Sequence, residues 1–220
     1  MTAPPADTLD VDAHLRAGAA LYTAGRFHAA HDPWEAAWLA VRGAERSEAA
    51  DDADLLQGLV QTTAALHHAR TGNREGATGL AGSAGEYLAN VPESHRGVEL
   101  DPIREFLPRL AESLDAAGDP PPLRVDGREW ALSDLELPAA GPAAVALAED
   151  EGFEERVVER AVEFAWADLA DSPTSPFADA VLGFVAGSGA PRAVAYDRLR
   201  ARVERREAKE SDVSGLFDPD

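Results

Sequence analysis

Four of the six histidines of this chain stand in two short segments. The first reads Phe27-His28-Ala29-Ala30-His31-Asp32-Pro33-Trp34-Glu35-Ala36-Ala37-Trp38. The second reads Leu55-Leu56-Gln57-Gly58-Leu59-Val60-Gln61 and leads to His67-His68. Imidazole and carboxylate side chains in this mixture suit two kinds of chemistry. They can hold a divalent metal, since there is no cysteine to supply a thiolate ligand. They can also transfer protons, if burial or neighbouring charge brings a His or Glu pKa near neutrality. His31, Glu35 and His68 are the candidates for catalysis and, equally, for metal ligation. Asp32, Trp34, Trp38, Gln57, Gln61 and His67 are candidates for ligand binding beside them.

These side chains can act together only if helices align them. Apolar periodicity predicts a helix over 27–41. At the angular step of a helix, His28, His31, Asp32 and Glu35 fall within about 100° of one another, beside a seam of Phe27, Trp34, Trp38 and Val41. On a helix predicted over 54–71, Gln57, Gln61, Ala64 and His68 share one line, with His67 on the adjoining apolar sector. An antiparallel pairing of the two helices would bring both polar lines to one cleft. Plainer readings exist for each part. Asp32-Pro33-Trp34-Glu35 has the form of an N-cap, a proline at the first helical position and a capping-box glutamate. On that reading the helix starts at Asp32, and the carboxylates only satisfy backbone donors. Gln57 and Gln61 would then bond between helices, and His67 would be a core histidine. The His31/Glu35 pair lacks the His-Glu-x-x-His spacing of zinc proteases, so protease chemistry has little support.

The rest of the chain supplies more helices. A first is predicted over 9–23, ended by Gly25, with a polar connection over 43–53 before the glutamine helix. Helices over 75–89 and 102–117 follow, with Pro108 set to kink or split the second. Asp119-Pro120-Pro121-Pro122 reads as a stiff linker. Asp126-Gly127 suits a type I′ turn, in a tiny hairpin or, better, an ordered loop. Helices over 142–149, 153–169, 176–186 and 191–210 close the chain, and the apolar pair Leu216-Phe217 is available to dock. The fold class is therefore all-α, an irregular multi-helix bundle or a short superhelix of antiparallel helix pairs. Three parts are expected: a helical domain over 1–118, a Pro-rich linker or small hairpin over 119–141, and a helical extension over 142–220 packed on the first.

Forty acidic residues against twenty basic ones give a net charge of −20, and Lys209 is the sole lysine. The acidic residues run along the whole chain rather than forming a tail. This pattern fits a protein of a high-salt, halophile cytoplasm, where screening relieves self-repulsion. An acidic decoy for a basic partner is the competing reading. Nucleic-acid binding is not expected, since it needs clustered Lys and Arg. The Arg-rich last helix carries interleaved glutamates, which fits an ion-pair network better. No apolar run is long enough for a membrane span, and no secretory leader is visible.

Taken together, Phe27 to Trp38, then Leu56-Gln57-Gly58-Leu59-Val60-Gln61 with Ala64-Ala65-Leu66-His67-His68, then Gly72-Asn73 with Gly76-Ala77 resemble the domain-of-unknown-function 309 family of small helical proteins. The resemblance covers roughly 9–114. It implies an all-α fold and no established activity. The family's usual His-Glu pair stands here as His31-Asp32, and Pro33 is a further departure. Two functions follow from the residues. The favoured one is a helical adaptor or scaffold whose polar cluster holds the second and third helices in register. The alternative is a metal-dependent or acid/base enzyme, with hydrolysis as one candidate reaction, acting on a small molecule at that cluster with a divalent metal as cofactor. An Ala-rich helical face also offers a homodimer surface.

Overall fold

A computed structural model describes the backbone of residues 9–43 and 47–215, with side chains over 9–43 and 49–211. Among the described residues the regular structure is helical. Extended contacts are isolated bridges, Val98 with Val125 and Val125 with Arg128.

The first hairpin is α1 (Val11–Thr23) and α2 (Phe27–Val41). Asp10 caps α1 by accepting from the Ala13 amide. Gly25, at φ 71°, turns the chain between the two helices. Their contact is close because Gly18 has no side chain. A Cβ there would overlap the Trp34 indole, which lies fully buried and donates to the Leu15 carbonyl at 3.3 Å. α2 keeps its predicted bounds and runs through Pro33. The expected capping box at Asp32 is therefore overturned: α2 has already completed a turn before Asp32, and both carboxylates are left free of capping duty. Pro33 removes one helical donor, and the buried Phe27, Ala30, Trp34 and Ala37 hold the helix regardless.

The second hairpin is α3 (Ser47–Arg70) and α4 (Arg74–Asn90). α3 starts well before the predicted position, inside the segment expected to be a polar connection. Ala49 and Ala50 are strong helix formers, and Asp51, Asp52 and Asp54 lie inside the helix rather than in a loop before it. Gly58 admits Leu88 of α4, where a Cβ would overlap the leucine. Asn73 caps α4 by accepting from Gly76. At the other end, Arg104 donates to the Leu88 carbonyl at 2.8 Å and the Val91 carbonyl at 2.5 Å, satisfying the last turn.

α5 (Asp101–Glu112) carries Pro108 on its exposed side and is neither split nor ended there. It stops five residues earlier than expected. Ser113 then accepts from the Asp115 amide and opens a 3-10 turn, Leu114–Gly118. The segment after Pro122 is an ordered loop, with Asp126 and Gly127 both at positive φ (56° and 73°) as a type I′ turn requires. Tyr22 donates to the Pro121 carbonyl at 2.9 Å and ties this loop to α1.

α6 (Leu137–Glu151) begins earlier than predicted and contains Pro142 in its interior. It packs on α1 and α2, so its Ala-rich face joins the core of the first hairpin. α7 (Glu155–Asp171), α8 (Pro176–Ala186) and α9 (Ala190–Gly215) complete the bundle. Arg192, Arg200 and Arg206 of α9 form ion pairs of the expected kind. Arg206 reaches Glu210 at 2.8 Å and Asp168 at 3.3 Å, and Arg160 of α7 reaches Glu207 at 3.0 Å. Arg192 is buried and donates to the Phe184 and Val185 carbonyls and to Glu151. The expected docking of Leu216-Phe217 lies outside the described residues.

Candidate functional site

The predicted cluster divides into two sets, one on α2 facing the end of α6 and one along α3. On α2, His31 Nδ1 stands 3.5 Å from Asp32 and 3.9 Å from Glu35. The Asp32 hydrogen bond is the main reason the His31 imidazole is held above its ordinary value of 6.5. Burial opposes it, and the charges of Glu35, Asp32 and Glu149 add to it. Glu149, at the end of α6, has its carboxyl pushed up, first by the charge of Asp32 and then by burial. Arg26 draws the same two elements together, reaching Asp150 at 3.0 Å and Glu151 at 2.7 Å.

His28 of α2 and His67 of α3 place their rings 5.4 Å apart at 56°. This is the contact between the two helices that the cluster itself makes. His67 is exposed rather than the core histidine expected, because α3 is in its last turn there. Burial, then the charges of His28 and His68, lowers the His67 pKa. His68 turns the other way, with Nδ1 3.0 Å from the Asn73 amide beside Gly76 of α4.

Gln57 and Gln61 do not bond between helices. Their Oε1 atoms are buried and have no hydrogen-bond partner. The line they share runs between the face that receives Leu88 of α4 and the face that meets His28 of α2. Trp34 is packed under Gly18, and Trp38 is half-buried with the Arg42 guanidinium 4.9 Å above its ring. No hydrogen bond or ion pair joins His68 to His31 or Glu35, and among the described residues no three His, Asp or Glu side chains form a group that could hold a metal ion. The divalent-metal triad of His31, Glu35 and His68 is not assembled, because its third member belongs to the α4 side of α3.

A second polar set escaped the sequence reading. Asp52, 4% exposed in the first turns of α3, accepts from His95 Nε2 at 2.6 Å and from Arg96 Nε and Nη2 at 2.6 and 2.5 Å. Arg96 Nη1 continues to Asp12 of α1 at 2.8 Å. Burial pushes the Asp52 carboxyl up, but the hydrogen bonds and charges of Arg96 and His95 outweigh it, and the carboxyl lies below its ordinary value of 3.8. The same carboxylate holds Arg96 firmly protonated. One sign of this network was present in the sequence: Asp52 precedes Leu55, Leu56 and Leu59 on the apolar face of α3. A carboxylate on such a face requires a partner. Nothing in the sequence named His95 and Arg96, which follow the end of α4.

No helix among the described residues is long and apolar enough to cross a membrane. A similar chain is an uncharacterised protein of Aquifex aeolicus (strain VF5), 27% identical over 103 residues. That alignment covers 47% of this chain and 29% of the relative, so the chain spans less than a third of the relative's length. The two histidine segments, with the helices that carry them, lie inside residues 15–80, and this stretch matches the family described as a domain of unknown function (DUF309).

Proposed function

We propose that the protein is a non-catalytic helical adaptor of a high-salt cytoplasm, and that its recognition face is the surface where α2, the end of α3 and the end of α6 meet. The observation that carries this reading is the display of the polar cluster. His28, Glu35, His67 and Glu149 are exposed, His31 and Asp32 are half-exposed, and Leu39 further along α2 is one of the exposed large apolar side chains. Side chains that held two helices in register would be buried and bonded across the pair, whereas here the buried residues of the two helices are mostly apolar, among them Phe27, Ala30, Trp34 and Ala37 of α2 and Leu55, Leu56, Leu59 and Leu66 of α3. The histidines and carboxylates are free to meet another surface.

A second copy of the chain is the partner that tests this reading directly. Sedimentation equilibrium in molar KCl should show self-association in the native chain. The double variant His31→Ala/Glu35→Ala should lose it while unfolding as the native chain does, within about 0.5 kcal/mol. A native chain that stays monomeric, or a variant that associates equally well, overturns the reading.

The enzyme alternative draws on one observation. Asp32, His31 and Glu149 form a set in which one carboxyl and one imidazole are both held above their ordinary values, and perturbed groups of this kind gather at functional sites. Metal analysis of protein purified without chelator separates a metal-dependent version from the adaptor: stoichiometric divalent metal, lost in His31→Ala, would favour the enzyme.

A further inference from the structure

Four of the six histidines have their rings engaged. His14 Nδ1 meets the Asp10 carbonyl at 2.8 Å, His31 Nδ1 stands by Asp32, His68 Nδ1 meets the Asn73 amide, and His95 Nε2 meets Asp52. The two left over, His28 of α2 and His67 of α3, are exposed and face each other, with ring centres 5.4 Å apart at 56°. Two imidazoles bound to one tetrahedral ion, at about 2.0–2.1 Å per nitrogen, hold their ring centres about 5 Å apart. The pair thus has the spacing of a chelate. Neutral imidazole is the ligating form. Burial and the charges of His28 and His68 lower the His67 pKa, which keeps that ring neutral at neutral pH. The nearest charges of opposite sign are Asp150, which acts on His67, and Glu149, on which His28 acts. Neutral nitrogen ligands beside carboxylates favour a cation.

Ligand type narrows the class of ion. Imidazole nitrogen suits zinc, nickel and copper, whereas magnesium and calcium take oxygen ligands. Two histidines fill half of a tetrahedral site, and among the described residues no third His, Asp or Glu joins them in a group that could hold a metal. The site is incomplete in one chain. Its position supplies the remainder, because the pair lies on the face assigned above to self-association. A two-fold contact sets such a patch against its own copy, so a second chain would bring the same two imidazoles. The same contact brings the carboxylates of this face, Glu35 and Glu149 among them, towards their counterparts. Like charges repel there, and Glu149 already has its carboxyl pushed up by the charge of Asp32. A divalent cation between the copies offsets that repulsion.

We propose that His28 and His67 form half of a metal site of the zinc class, and that the same pair of a second copy supplies the other half. This site rests on the self-association of the α2–α3–α6 face, and the ion regulates that association by tightening it.

The test is sedimentation equilibrium of the full chain in molar KCl, first with chelator and then with zinc, alongside calorimetric titration with zinc. Association in chelator that zinc tightens by about tenfold or more is expected, with one zinc bound per two chains. Magnesium should not reproduce the effect. His28→Ala and His67→Ala should each abolish the tightening. Both positions are exposed, and circular dichroism checks that the variants fold. The metal site is overturned if zinc binds once per chain and leaves association unchanged, if magnesium tightens association as much, or if both variants respond to zinc as the native chain does. Association in chelator with no response to zinc also overturns it, and leaves the adaptor reading standing. A chain that stays monomeric with and without zinc overturns both.

Discussion

A charged side chain buried with its partners has a different value from one that is merely near them, and Asp52 shows the difference. It is nearly inaccessible and accepts three hydrogen bonds, whereas His31 lies half-exposed beside looser partners. Removing one member of a buried ionic set leaves the others desolvated and unpaired, at a cost of about 3 kcal/mol or more. Asp52→Asn should therefore lower stability by about that amount in urea unfolding, while His31→Gln should change it little. The pH dependence has a definite sign. Because the folded Asp52 carboxyl lies below its unfolded value of 3.8, its contribution is fully present above that value and is lost as pH falls through the folded pKa. The variant should show a flatter loss of stability on acidification. A variant with native stability and native acid sensitivity would show that the network contributes nothing.

At the scale of helices, the hairpins are set by where side chains are missing. Gly18 lets the Trp34 indole lie against α1, and Gly58 lets Leu88 lie against α3. Gly18→Ala should push the indole from its place and break its bond to the Leu15 carbonyl, costing about 2 kcal/mol. Thermal unfolding followed by near-ultraviolet circular dichroism, which reports the tryptophan environment, checks this. A native melting temperature would mean that α1 and α2 can separate freely. This scale is also where the sequence was most and least legible. α2 and α8 occupy their predicted bounds, since apolar spacing and flanking Gly or Pro signals agreed there. α3 begins earlier than its apolar pattern suggests, because an acidic stretch reads as a loop although it lies inside the helix. Pro33 invited a capping box because local propensity disfavours a mid-helix proline, and tertiary packing of Phe27, Ala30, Trp34 and Ala37 decided otherwise. The candidate site was half legible for a similar reason. The sequence places residues on a face of their own helix, but cannot say that His68 turns to α4 while His67 turns to α2. Nor could it bring Asp52 to a turn that begins beyond α4.

For the molecule as a whole, the decisive quantity is a net charge of −20. The described ion pairs, such as Arg206 with Asp168 and Arg26 with Asp150, engage part of the basic complement, and many carboxylates remain on the surface. Their mutual repulsion is screened over about 10 Å at 0.1 M salt and about 3 Å at 1 M. Stability should therefore rise steadily from low to molar KCl, with a clear upward shift in melting temperature. If the melting temperature stayed flat or fell with added KCl, the acidic surface would have no bearing on a high-salt habitat. The bundle itself answers one question of organisation. α6 joins the core of α1 and α2, so the C-terminal helices are built onto the matched segment rather than hung from it.

The Asp52 network also has a bearing on the order in which the chain folds. It joins residues 43 and 44 positions apart on either side of the α3–α4 hairpin, and through Arg96 it reaches back 84 positions to α1. Those ends come within reach only after the hairpin has closed. Desolvated charges repay their burial only when the final geometry is complete. The network should thus be nearly absent from the folding transition state, and it acts on escape from the native state rather than on arrival. Kinetically it is a latch: Asp52→Asn should leave the refolding rate almost unchanged and place nearly all of its effect in faster unfolding.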